Sequence, residues 1–300
     1  MLERRGWAER HLDRIRSLLM WEPRGHREMY GCILTEPVTP GADFGILFMH
    51  NEGFSTMCGH GIIAIATVAV EAGLVAVSAP ETVMRIDTPA GTVTASVRNS
   101  GGRAQSVRFQ NVPSFVVARD QSIEVPELGG VTYDLAFGGA YYAFVQAQHF
   151  GLRCTPDEAP RLIETGMKIK RAVAAARTIS HPSGQEMGFL YGTIFIAPPL
   201  GNAHSRNVCI FANGQVDRSP TGTGVSARMA LHFARGEVSV GEERVIESII
   251  GTQFIGRVMR PTTFGPYNAI IPEVEGSAYI TGRHEFFRDP GDPLCDGFLI

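Results

Sequence analysis

Cys58 stands directly before Gly59-His60-Gly61, and an apolar run from Ile62 to Val70 follows and stops at Gly73. A thiol at the head of a helix meets the positive end of the helix dipole, which favours the thiolate, the form that abstracts protons. Thr221 stands in the same relation to Gly222-Thr223-Gly224, to the segment Val225–Ala234 and to Gly236. The separation is 163 at three points, from 58 to 221, from 61 to 224 and from 73 to 236. A weaker echo sets Thr88–Thr92 against Ser248–Thr252 at a separation of 160, from 91 to 251. At each turn the glycines admit a close approach, and the first amides of the helix have no partner inside it. Such a turn suits an anion, and two of them facing each other would hold one small carboxylate.

Other readings of the same residues stay open at this point. Cys58 can be a buried core cysteine. Asp217 can receive an ammonium group beside the carboxylate, or Asp217, Ser219 or Thr221 can simply cap the second helix. His60 can bond a ligand or serve the structure. Gly222–Ala227 fits the GxGxxA dinucleotide pattern. That reading is set aside because polar residues and Pro220 separate the preceding strand from the first glycine and the following strands read as antiparallel. Cys58 and His60 lack the further partners that a metal ligand set needs, so neither a metal nor a cofactor is expected.

The elements that must position these residues read as two halves of one architecture. Strands are expected at Asp43–Met49, Val83–Asp87, Thr92–Val97, Ser106–Gln110, Val131–Phe137, Tyr141–Gln146, Phe189–Ile196 and Asn207–Phe211. Asn99–Gly102 and Asn213-Gly214 supply turns. Short turns between consecutive runs predict mainly antiparallel pairing. Pro156–Ile179 reads as a helix, and Met1–Trp21 as an amphipathic one with Leu12, Ile15, Leu18 and Leu19 on one side. The run 62–70 is apolar on every side and predicts a helix buried all round, with a curved sheet wrapped about it. Arg228, His232 and Arg235 predict a less enclosed second helix. Gly73 and Gly236 predict left-handed helix ends.

Composition narrows the class. Three hundred residues, 44% apolar and 19% charged, describe a globular chain of one large or two ordinary domains. A net charge of -3 offers no basic field for nucleic acid, and no apolar run is long enough to span a membrane. Five widely spaced cysteines without a CxxC pair indicate neither a zinc ribbon nor a disulfide framework, and fit a cytoplasmic location. The expected partner is a small-molecule substrate, with a homodimer as a candidate assembly.

Met57-Cys58-Gly59-His60-Gly61 taken with Asp217-Arg218-Ser219-Pro220-Thr221-Gly222-Thr223-Gly224 resembles the proline racemase family. Glu22–His26, Gly138–Tyr141 and Asp289–Pro293 match as well, so the resemblance runs through almost the whole chain. It implies an α+β, diaminopimelate-epimerase-like fold, two similar domains each with a mainly antiparallel sheet round a central helix and a site in the cleft between them. The domains are expected at 1–118 with about 284–300, and at 119–283. The family usually opens with an Asp-x-His-Thr-like segment, and this chain starts after that point, so a first strand is expected to be missing.

In racemases and hydroxyproline epimerases of the family both turns begin with Cys. One thiolate removes the α-proton, and the other thiol protonates the opposite face. Here the second position is Thr221. By the resemblance this goes with a hydro-lyase that dehydrates trans-3-hydroxy-L-proline to Δ1-pyrroline-2-carboxylate. Cys58 would be the base, with Thr221 beside it and Gly59, His60, Gly61, Asp217, Gly222 and Thr223 lining the substrate. The competing expectations are a proline racemase or 4-hydroxyproline 2-epimerase, against which Thr221 argues, and a non-catalytic amino-acid binder, which the short N-terminus favours.

Overall fold

The structure, a computed structural model, describes residues 1–184 and 187–300. Its packing divides the chain into two units, Met1–Val107 with Ser277–Ile300, and Arg108–Gly276. The sequence had placed these boundaries at 118/119 and 283/284.

The first unit opens with helices α1 (Leu2–His11) and α2 (Asp13–Met20). Strands β1 (Tyr30–Thr35), β2 (Phe44–His50) and β3 (Gly53–Ser55) follow, then helix α3 (Gly59–Glu71) and strands β4 (Glu81–Thr88), β5 (Gly91–Ser100) and β6 (Arg103–Gln110). The sheet runs β1-β2-β4-β5-β6, with β3 paired to β2. Ala8 and Met20 from the two leading helices pack with Leu47, Met49 and Phe54.

Two expectations are corrected here. The N-terminal segment is two helices rather than one, and Ile15 is 49% exposed. Arg16 is buried in its place because its guanidinium has partners: Asp13 Oδ1 at 2.7 Å, and the carbonyls of His50 and Asn51. Helix α3 is not buried all round either. Ala64 is exposed and Val68 half-buried, one helical turn apart, so one stripe reaches the surface.

The second unit carries β7 (Ser114–Val125), β8 (Gly129–Phe137), β9 (Tyr141–Gln146), helix α4 (Ala159–Ala176), β10 (Leu190–Ala197), β11 (Ser205–Phe211) and β12 (Gln215–Val216). Helix α5 (Gly222–Ala234) and strands β13 (Glu243–Glu247), β14 (Gln253–Phe264) and β15 (Tyr267–Gly276) complete it. Its strands run β15-β14-β13-β11-β10-β9-β8-β7, and β15 pairs with β7, so the ring closes. Helix α5 lies against β7, β8, β9, β14 and β15. Every residue from Gly222 to Leu231 is buried.

The expected looser enclosure of α5 is thus reversed. Arg228 is accepted inside because its Nη1 donates to Asn207 Oδ1 at 2.7 Å, a partner that periodicity does not reveal.

Pairing is mainly antiparallel, but wherever a helix intervenes it is parallel: β2 with β4 across α3, β9 with β10 across α4, and β11 with β13 across α5. Strands joined by a helical crossover can run in the same direction, so the antiparallel expectation fails at those three places. The internal repeat survives in the helices. Both α3 and α5 are 13 residues long. Gly73 and Gly236 follow them at φ +69° and +70°, and the next residue's amide reaches back, Leu74 to the Ala69 carbonyl and Glu237 to that of His232. No helix among the described residues is long and apolar enough to cross a membrane.

Candidate active site

The first half of the site is built by β2, β3 and the start of α3. Cys58 is extended, with φ −142° and ψ 110°, and serves as the N-cap of α3. Its Sγ accepts the N–H of Gly61 at 3.3 Å, and the helix ladder begins with Ile62 N–H to the Cys58 carbonyl at 3.0 Å. The thiol is thereby fixed at the positive end of the helix, 4% exposed.

Gly61 is required by packing. A Cβ there would lie 2.8 Å from the Phe48 ring and 3.2 Å from the Cys58 sulfur. The His60 ring meets Tyr30 edge-on at 5.1 Å, and the Tyr30 hydroxyl donates to Ser55 Oγ at 2.5 Å. Tyr30 and Cys32 share one face of β1, and Cys32 sits opposite Phe48 in the ladder. Burial pushes the Cys32 thiol up to about 12, with Cys58 adding in the same direction. Cys32 therefore stays neutral beside Cys58. Neither Tyr30 nor Cys32 was marked by the sequence, because neither belongs to a motif.

The second half is built by the β11–β12 hairpin and the start of α5. The hairpin returns the chain so that the Asp217 amide donates to the Cys209 carbonyl at 3.0 Å. Asp217 then organises the turn. Its Oδ1 accepts the Ser219 amide at 2.8 Å, and its Oδ2 accepts the Thr221 hydroxyl at 2.9 Å. Ser219 Oγ accepts the Thr221 amide at 3.1 Å, and Asn207 Nδ2 donates to the Pro220 carbonyl at 3.3 Å.

Thr221 occupies the N-cap position with no side-chain cap bond, since its hydroxyl is turned back to Asp217. The capping role that Thr221 offered in the sequence is corrected accordingly. Its φ is +66°, a region that a β-branched residue enters only under strain of about 1–3 kcal/mol.

Thr223 Oγ1 pairs with the Tyr142 hydroxyl at 2.7 Å. Tyr142 follows the Gly138–Tyr141 motif, whose first glycine has a local reason: a Cβ at Gly138 would come within 2.2 Å of the Thr223 carbonyl. Gly224 is needed for packing against Ile194, whose Cδ1 would be 2.4 Å from an added Cβ. Gly222 and Thr223 precede the first ladder bond of α5, Val225 N–H to the Thr221 carbonyl at 2.7 Å.

Two consecutive groups are therefore assembled. Cys58, Gly59, His60 and Gly61 form one helix head, and Asp217, Thr221, Gly222 and Thr223 form the other. Each offers main-chain amides at a helix start, a setting for a carboxylate. One carries a thiol, and the other a hydroxyl bonded to a carboxylate. Among the described residues no group of three His, Cys, Asp or Glu is placed to hold a metal ion.

The family model described as proline racemase matches residues 1–299. The chain belongs to the proline racemase family. Among its relatives in that family, a trans-3-hydroxy-L-proline dehydratase of Burkholderia cenocepacia is 48% identical, covering 100% of this chain and 90% of that protein. A 3-hydroxyproline 2-epimerase of Burkholderia multivorans is also 48% identical over the same shares. A solved hydroxyproline epimerase from Agrobacterium vitis, with trans-4-hydroxy-L-proline bound, is 32% identical at a TM-score of 0.94, covering 100% of this chain and 86% of that one. The proline racemase family thus supplies the diaminopimelate-epimerase-like α+β fold expected from the sequence. Equal identity to a dehydratase and to an epimerase leaves the choice between those reactions to individual residues.

Proposed function

We propose that this chain dehydrates trans-3-hydroxy-L-proline to Δ1-pyrroline-2-carboxylate, with Cys58 as the base. The observation that carries the reading is Thr221 at the second helix head, with its hydroxyl proton given to Asp217. A racemase needs a base on one face of the α-carbon and an acid on the other. By the family resemblance the second thiol is that acid, and here a hydroxyl stands in its place.

The stereochemistry of the substrate fits a single working face. In trans-3-hydroxy-L-proline the hydroxyl and the carboxylate lie on opposite ring faces, so the α-hydrogen and the hydroxyl share one. In the proposed reaction the Cys58 thiolate takes the α-proton. The electron pair left on the α-carbon forms the C2–C3 double bond as the C3–O bond breaks, and the proton held by Cys58 passes to the departing hydroxyl. Water and the ring enamine result, and the enamine tautomerises to the cyclic imine. The substrate carboxylate would be met by main-chain amides at a helix head, which face the charge that builds on it; one such donor is typically worth about 10²–10³ in rate. Asp217 would face the ring ammonium, with Gly59, His60, Gly61, Gly222 and Thr223 around the ring.

The test is an assay with trans-3-hydroxy-L-proline in which the imine product is trapped by reduction. Formation of pyrroline carboxylate supports the reading. Inversion of L-proline or 4-hydroxyproline in D₂O, without loss of water from the 3-hydroxy compound, would overturn it in favour of an epimerase. Binding without any turnover would overturn it in favour of an amino-acid binder.

A further inference from the structure

The two helix heads differ in a way that their matched sequences do not announce. At the head of α3, Cys58 is extended and its side chain caps the helix, taking the Gly61 amide at 3.3 Å. At the head of α5, Thr221 is held at φ +66° and its side chain makes no cap bond. Threonine is a good N-cap. In an extended conformation it would take the amide of Gly224, the counterpart of Gly61 in the repeat. The first amides of α5 are thus kept clear of their own cap.

Thr221 is held out of that relaxed state from several sides. Its hydroxyl donates to Asp217 Oδ2 at 2.9 Å and its amide to Ser219 Oγ at 3.1 Å. The carbonyl before it, that of Pro220, accepts Asn207 Nδ2 at 3.3 Å. The Pro220–Thr221 peptide is therefore clamped at both its amide and its carbonyl. Because the peptide is planar, it cannot swing to restore a negative φ at Thr221 without breaking both bonds.

Asn207 is wholly buried on β11, and its orientation is set from behind. A guanidinium only donates. The Asn207 atom that meets Arg228 Nη1 at 2.7 Å is therefore the side-chain oxygen, which leaves the nitrogen to face Pro220. Arg228 lies in α5 itself, one helical turn past Gly224, and is 6% exposed. Its Nε has no hydrogen-bond partner among the described residues. A buried cation left with an unpaired donor is costly to keep, which points to a role beyond packing.

We propose that Asn207, oriented by Arg228, is a positioning residue that keeps Thr221 from capping α5 and so reserves the first amides of that helix for the substrate carboxylate, a role that rests on the carboxylate meeting helix-head amides as set out under Proposed function.

Asn207→Asp keeps the volume and the partner of Arg228 but has no proton for the Pro220 carbonyl. It is made in the full chain, and again in a chain carrying Cys58→Ser, where trans-3-hydroxy-L-proline is titrated by calorimetry without turnover. In the unaltered background KM should rise about fivefold, the size of one N-cap, with kcat within about twofold and Tm nearly native. Calorimetry should give a similar loss of affinity. With Thr221→Gly added there is no hydroxyl to move into the cap, and glycine holds a positive φ freely, so the loss caused by Asn207→Asp should shrink below about twofold. Arg228→Met, which fills the space without a donor, should weaken binding in the same direction.

An Asn207→Asp chain with native affinity overturns the proposal. So does an equal loss with and without the Thr221 hydroxyl, which marks a general disturbance of the turn. Failure of both Asn207→Asp and Arg228→Met to fold also overturns it, since the pair would then serve the core alone. If the unaltered chain does not turn over the 3-hydroxy compound, the functional reading itself fails and takes this role with it. If it does and Asn207→Asp matches it in KM, only this role fails.

Discussion

The sulfur of Cys58 accepts the Gly61 amide at 3.3 Å, so one atom both caps α3 and stands where the proposed base must stand. These two roles can be separated by substitution. Serine is a good N-cap, so Cys58→Ser should hold stability within about 0.5 kcal/mol, whereas alanine should lose about 1 kcal/mol of cap. As a hydroxyl is a far weaker base than a thiolate, Cys58→Ser should lower the rate of imine formation at least 10²-fold, roughly the value of general base catalysis. Paired denaturation curves and rate measurements on the two variants check this. Retained activity in Cys58→Ser would remove Cys58 from the chemistry.

Thr221→Cys is expected to create a proton donor on the second face. The variant should begin to exchange and invert the α-hydrogen of L-proline in D₂O, while dehydration of the 3-hydroxy compound falls. Chiral chromatography of the recovered proline reads the outcome. A variant that folds and binds but gives no inverted product would count against the two-face argument.

Gly138 has no room for a side chain, because an added Cβ would fall 2.2 Å from the Thr223 carbonyl and 2.4 Å from the Ala227 amide. Both contacts are backbone atoms of α5 and cannot rotate away. Gly138→Ala should therefore destabilise the second unit by about 3 kcal/mol or more, at the severe end of overpacking. Urea unfolding would show it, and a shift below about 1 kcal/mol would mean that β8 and α5 can separate cheaply.

His181 lies among Phe115, Phe137, Tyr141 and Phe264. Its Nε2 has no hydrogen-bond partner among the described residues, and burial pushes its pKa down. The unfolded chain then binds a proton that the folded chain refuses. Stability is fully present above the unfolded histidine value of about 6.5 and declines as the pH falls from there toward the lower folded value. His181→Phe should flatten that acid limb in a plot of Tm against pH. An unchanged limb would assign the acid sensitivity to other groups.

The parts of this molecule that were legible in the sequence are those set by local chemistry. Gly73 and Gly236 close the two helices in the left-handed conformation, and the matched heads at 58 and 221 fix the repeat, because both features need only a few adjacent residues. What escaped depends on partners distant in the chain. The enclosure of α5 hinges on Asn207 meeting Arg228, and the setting of Thr223 on Tyr142, 81 residues away. The burial of Arg16 in place of Ile15 likewise depends on carbonyls at 50 and 51. Strand β14 was hidden for a different reason. Pro261 lies inside it, next to a register shift at Val258/Arg260, and reads locally as a break.

The pairing of β15 with β7 leaves the strand ring around α5 with no end from which to unzip. Helices α3 and α5 keep the same length even though one starts with sulfur and the other with oxygen. Helix length is thus the same at the two heads, although Cys58 caps its helix with sulfur and Thr221 turns its hydroxyl away to Asp217. If residues 58 and 221 act as proposed, the choice of reaction would be written in the side chain mounted on a helix head and not in the ring of strands around it.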